Sequence, residues 1–139
     1  MDLKNFTILD DFNINSKVLI VSGIDEFIGE ITYKTLIKEY TTQILDCIDS
    51  IIDIMNIRKC FFAVNNNDVE SLNVLLNNIG TYPKIDLKMF SYNFSIGNKN
   101  ILINKLTNYK NKKYDVLYLN INDVLNLYNL LKNKRPLSE

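Results

Sequence analysis

Arg58-Lys59-Cys60-Phe61-Phe62-Ala63-Val64 runs into Asn65-Asn66-Asn67 and then into Asp68-Val69-Glu70-Ser71-Leu72-Asn73-Val74-Leu75-Leu76. The apolar run Cys60 to Val64 is rich in β-formers and too short for a helix, so it reads as a strand buried on both faces. Three asparagines stop it. Asn67 and Glu70 have the spacing of a capping box, and Val69, Leu72, Leu76 and Ile79 recur at helical intervals after it. Strand, turn and helix in this order are half of a βαβ unit, and the polar turn is a candidate ligand contact.

Upstream, Lys17-Val18-Leu19-Ile20-Val21 ends at Ser22-Gly23, the form of a buried parallel strand meeting a tight turn. Thr35 to Ile57 then places Ile37, Tyr40, Ile44, Ile48, Ile51 and Met55 on one stripe, which predicts a single long amphipathic helix. Residues 1–16 read as an extended lead-in. Downstream, Gly80-Thr81-Tyr82-Pro83 closes the second helix, with glycine suited to its C-cap. Ile85 to Tyr92 reads as the third strand, and Ser95-Ile96-Gly97-Asn98 as the next turn. Leu102, Ile103 and Leu106 mark a short helix ending near Asn108. Val116-Leu117-Tyr118-Leu119 is the fourth strand, stopped at Asn120. Val124, Leu127, Tyr128 and Leu131 form the stripe of the last helix, which Pro136 ends.

Strands joined through helices run parallel with right-handed crossovers. The expected fold over 17–139 is therefore a three-layer α/β/α domain with a four-stranded, mainly parallel, Rossmann-like sheet. Ligands of such sheets sit outside the carboxyl ends of the strands. Those ends carry Ser22, Gly23, Ile24 and Asp25, then Asn65 to Asn67, then Tyr92 to Asn98, and finally Asn120 to Asp123. The same residue types also serve simply to cap helices and shape turns.

The chain has 139 residues, 47% of them hydrophobic and 23% charged, which fits one folded domain and leaves no room for separate cofactor and substrate domains. No apolar run approaches a membrane span and no signal-peptide pattern opens the chain, so the default expectation is a cytoplasmic protein. Net charge is zero, yet residues 1–57 carry 4 Lys/Arg against 10 Asp/Glu and residues 58–139 carry 12 against 6. The basic loop at Lys110, Lys112 and Lys113 and the basic tail at Lys132, Lys134 and Arg135 could meet phosphate or an acidic partner. No nucleic-acid motif accompanies them, and no nucleic-acid partner is expected. With no histidine and two isolated cysteines, Cys47 and Cys60, histidine triads, structural zinc and iron–sulfur sites are excluded. Only Asp25, Glu26, Asp123 and lysines are left as acid–base candidates, so no catalytic residue is assigned.

From Phe94 to Thr107 the chain resembles the RnfC component of the Rnf electron-transport complex and the related proline reductase-associated electron-transfer protein. Their flavin domain is shared with the NADH-binding subunit of respiratory complex I. Gly97, Leu102, Ile103, Leu106 and Thr107 keep the family pattern, while Lys99 and Asn100 replace its glutamate and lysine. Val18 to Ile28, the Asn65–Asp68 turn, Leu119 to Tyr128 and the Arg135-Pro136-Leu137 exit follow the same order. Asn65 and Asp68 stand where the family has a glutamate and a lysine, and Asn67 keeps its asparagine.

The resemblance implies a flavin-domain fold that binds flavin mononucleotide (FMN) and NADH, with the flavin ring near Asp25 and the Asn120 turn. Its cofactor-binding candidates are Ser22, Gly23, Asp25, Asn65, Asn67, Gly97, Asn120 and Asp123. It implies partners among electron-transfer or amino-acid reductase subunits, and it is compatible with association with a membrane complex. In the family the flavin phosphate rests on a glycine-rich loop before the first strand, but this chain has no glycine before Gly23. The expectation is a degenerate or incomplete flavin site in an electron-transfer component. The alternative is a non-redox α/β module binding a protein partner or a nucleotide.

Overall fold

The computed structural model describes residues 16–25, 32–91, 98–107 and 116–133. Their elements are β1 (Val18–Ser22), α1 (Thr32–Glu39), α2 (Thr41–Met55), β2 (Lys59–Asn65), α3 (Val69–Asn78), β3 (Ile85–Phe90), α4 (Lys99–Thr107), β4 (Val116–Asn120) and α5 (Ile121–Asn133). The four strands form one all-parallel sheet in the order β3-β2-β1-β4. Central β1 is buried at all five positions, and β2 is buried from Cys60 to Val64, which accounts for their unbroken apolar runs.

Side chains alternate across the sheet, so each strand feeds two cores. On one face Leu19, Val21, Cys60, Phe62, Leu117 and Leu119 pack with residues of α1, α2, α3 and α5. On the other, Val18, Ile20, Phe61 and Ala63 pack with Leu102 and Ile103 of α4. The result is three layers. Crossovers from β1 through β3 lie on the first face, and the return from β3 to β4 passes α4 on the second. That change of face accompanies the reversal of strand order, since β4 is added on the far side of β1 while every strand stays parallel.

The single helix expected from Thr35 to Ile57 is two. The chain breaks at Tyr40, where φ is −123° and ψ is 33°, and Thr41 and Thr42 follow. The β-branched Thr41 is buried and gives its hydroxyl to the Ile37 carbonyl, which holds the end of α1 where an uninterrupted helix would have run on. Tyr40, expected on the buried stripe, is 40% exposed. Asn56 ends α2 in the left-handed conformation, φ 54°, with its N–H on the Ile52 carbonyl, a role asparagine tolerates.

The buried face of α3 also differs. Ser71 and Leu75 point inward, with Leu72 half-buried, whereas Val69 and Leu76 of the expected stripe are exposed. Helical spacing admits either stripe, and the packing of α1 against α3 selects the one with Ser71, the smallest residue of the helix. Gly80 is not the C-cap. It lies inside a short 3₁₀ turn, Ile79–Thr81, with open space where a Cβ would stand, so nothing there requires glycine. The third strand stops at Phe90, short of the expected Tyr92. Residues 1–15, the Tyr92–Gly97 turn, the Lys110–Lys113 loop and the tail from Lys134 through Pro136 lie outside the described residues. Among the described residues no helix is long and apolar enough to cross a membrane.

Candidate functional site

A parallel sheet puts every strand's carboxyl end on one rim. Ser22 is in register with Ala63 on one side and Asn120 on the other, which sets the turns after β1, β2 and β4 side by side. The order β3-β2-β1-β4 makes the gap between β1 and β4 the topological switch point, the usual ligand crevice.

The turn after β1 is closely packed. The Gly23 N–H donates to the Ala63 carbonyl at 2.8 Å. A Cβ on Gly23 would lie 2.9 Å from Ile37 Cδ1, 3.1 Å from Phe62 Cε1 and 3.2 Å from the Ala63 oxygen, so a side chain here would press on all three neighbours at once. Ser22 is buried, and its hydroxyl accepts from the Ile24 N–H at 3.3 Å and lies 3.4 Å from the Ile24 carbonyl. Asp25 Oδ1 accepts the Tyr33 N–H at 3.3 Å, in the first turn of α1.

At the turn after β2, Asn65 Oδ1 accepts the Asn67 N–H at 2.9 Å, a self-closed asparagine turn. The capping box expected from Asn67 to Glu70 does not form. Asp68 is the residue before α3, and its side chain makes no capping bond. Glu70 instead bonds Lys38 on α1, and this raises the Lys38 pKa and lowers that of Glu70. Lys34 Nζ lies 3.9 Å from Asp68 Oδ1, and the Ser71 hydroxyl donates to the Lys34 carbonyl at 2.9 Å. These links clamp α1 to α3 over the end of β2.

Between them opens a cleft of about 240 Å³. Gly23, Asp25, Asn65 and Asn67 line it, four of the eight residues expected from sequence. Lys34, Asp68 and Ser71 line it too, over a floor that includes Val64 and Leu75. Sequence reasoning missed these because Lys34 and Ser71 belong to helices whose mutual packing no spacing reveals. The family resemblance marks Asp68 only as a replaced lysine.

Asn120 and Asp123 are not part of this cleft. The Asn120 N–H donates to Asp123 Oδ2 at 3.1 Å, and the Asp123 N–H donates to Asn120 Oδ1 at 2.8 Å. This reciprocal pair is a capping box that starts α5 directly from β4, with aspartate in the usual glutamate position. Asn122, between them, is exposed. Gly97 lies outside the described residues. The expected site is thus divided: Gly23, Asp25, Asn65 and Asn67 line a cleft between the ends of β1 and β2, Asn120 and Asp123 cap a helix at the switch point, and Ser22 closes its own turn. Cys47 and Cys60 are buried, and desolvation pushes both thiols up to about 12, which keeps them protonated and inert at neutral pH. No family model matches this chain, and no curated protein matches it.

Proposed function

We propose that this chain is a flavin-domain-like module of an electron-transfer protein of the RnfC type, serving an amino-acid reductase system, which holds redox partners in place and does little chemistry itself. The all-parallel sheet and the order of its elements support a domain of this kind. The observation that carries the non-catalytic part is the state of the switch point, where Ser22, Asn120 and Asp123 spend their polar groups on their own turns.

The described residues at this rim do not form a cleft that fits a flavin mononucleotide. The neighbouring cleft, at about 240 Å³, falls below the roughly 300–1,000 Å³ of ordinary small-molecule pockets, and it lies on the β2 side of β1, away from the Asn120 turn. Titrating the chain into FMN while following flavin fluorescence, with NADH in a parallel series, tests this directly. Neither is expected to bind. Stoichiometric quenching would overturn the degenerate-site reading. The partner-holding role is tested by affinity capture, which should recover flavin or iron–sulfur proteins.

A second reading is favoured by the cleft itself, where a half-exposed ammonium, Lys34, stands beside the amides of Asn65 and Asn67. Asp25 and Asp68 line the same cleft and offset Lys34, so it suits a ligand that both donates and accepts hydrogen bonds, such as a nucleotide base, in a non-redox binding module. Nucleoside monophosphates that raise the melting temperature of the wild type, but not of Lys34→Ala, would decide for it.

A further inference from the structure

β3 is an edge strand, and among the described residues it pairs with β2 alone. The Phe90 carbonyl accepts the Asn66 N–H, so Phe90 turns its hydrogen-bonding groups toward β2. Alternation along a strand then turns those of Lys88 and Asp86 the same way. Leu87 and Met89 present their N–H and C=O groups to the open edge, as Ile85 does its C=O; the Ile85 N–H is held by the Tyr82 carbonyl.

We propose that this edge docks a second copy of the chain, β3 against β3 in antiparallel sense about a two-fold axis at Leu87, which would join two four-stranded sheets into one. The proposal stands apart from the flavin-domain reading. Charge complementarity within the strand favours a second copy as the occupant. Asp86 and Lys88 project from the same face, their charged atoms 3.3 Å apart, with Lys88 also 5.8 Å from the centre of the Phe61 ring.

Antiparallel pairing must match outward-facing residues with outward-facing residues, which restricts the two-fold to a few registers. Centred on Asp86, the register opposes two aspartates. Centred on Lys88, it opposes two lysines. Centred on Leu87, it sets Asp86 across from Lys88 of the second copy twice over, in the closely spaced non-hydrogen-bonded pairs where opposite charges help and like charges hurt.

In that register the Leu87 residues exchange both backbone bonds, and each Met89 N–H reaches the Ile85 carbonyl of the second copy. Met89, 49% exposed on an edge unpaired among the described residues, comes to lie across from Ile85. A strand with one sign of charge would guard its edge, but this one is complementary to its own two-fold image.

Sedimentation analysis of the wild type, Asp86→Lys and Lys88→Glu, alone and mixed, tests the proposal, with circular dichroism as the check on folding. The wild type is expected to dimerise, each single variant to be monomeric, and the equimolar mixture of the variants to regain a dimer. In that mixture one chain carries only positive charge at the two sites and the other only negative. Met89→Pro removes an N–H the β2 ladder does not use, so it should abolish the dimer and keep the fold. A wild type monomeric up to its solubility limit would overturn the proposal and leave Asp86 and Lys88 as guards of a bare edge. So would a dimer that survives the single charge reversals or Met89→Pro, or a mixture that fails to associate.

Discussion

Gly23 has an exacting position at the rim, because a methyl group there would crowd Ile37, Phe62 and the Ala63 carbonyl together. Gly23→Ala should destabilise the fold by about 1–3 kcal/mol through overpacking, read as a lower urea midpoint with an unchanged slope. The sequence made this glycine visible as the end of a strand, but not the reason for it, since Ile37 and Ala63 are distant in the chain. The same limit explains Glu70. Its spacing from Asn67 matched a capping box, but Lys38, far away in sequence, takes the carboxylate instead. The buried thiols lead to a prediction about pH. Cys47 and Cys60 hold their protons up to about 12 in the folded chain, whereas unfolded thiols release them near 9.0. Tyr82, hydrogen-bonded to Asp46, shifts in the same direction from 10.0 to about 12. The folded state therefore binds more protons than the unfolded state through this window. The stability from these groups is complete below pH 9.0 and falls as pH rises toward 12. Urea titrations below and above pH 9.0 should show the decline, and a thiol reagent at neutral pH should label neither cysteine until the chain unfolds.

Among the elements, α5 depends most visibly on its first turn. Asn120 and Asp123 exchange hydrogen bonds, so removing either leaves the other's donor open; Asn120→Ala should cost about 0.5–2 kcal/mol. Because the two bonds act as a unit, Asp123→Ala added to Asn120→Ala should cost less than the sum of the single changes, which a double-mutant cycle in urea can measure. Strands were legible at this scale because their apolar runs are local and short. Helix faces were only partly so. The α5 stripe reads correctly, with Val124, Leu127 and Leu131 buried, since this helix has one apolar side. α3 offers two competing stripes, and a neighbour decides between them. The break at Tyr40 was hidden because both halves keep one hydrophobic phase, and only the Thr41 hydroxyl on Ile37 marks the join.

For the whole molecule, the two faces of the sheet carry unequal loads among the described residues, with α1, α2, α3 and α5 on one and α4 on the other. Phe62, fully buried under the heavier face, is the side chain whose loss should be felt most. Phe62→Ala should cost about 3–5 kcal/mol, a large part of the roughly 5–15 kcal/mol that holds a domain together, and should lower the melting temperature sharply. Fold class was readable because alternation of strands and helices constrains topology, but the site was only partly so, because it is a contact between turns and helices that the packing of α1 on α3 brings together. The strand order also bears on how the protein is made. β1 is synthesised before the other strands yet ends in the middle of the sheet, and its Val18 waits for Val116, nearly the whole chain later. A nascent chain that has reached only β3 holds a strand that is apolar from Val18 to Val21 with one side unpaired. Such a species is prone to aggregate, and a slow final step follows from the long loop that β4 must close. Stalled or truncated products ending before β4 should therefore be captured by chaperones or found insoluble, while release of α5 lets the domain close in a single late event.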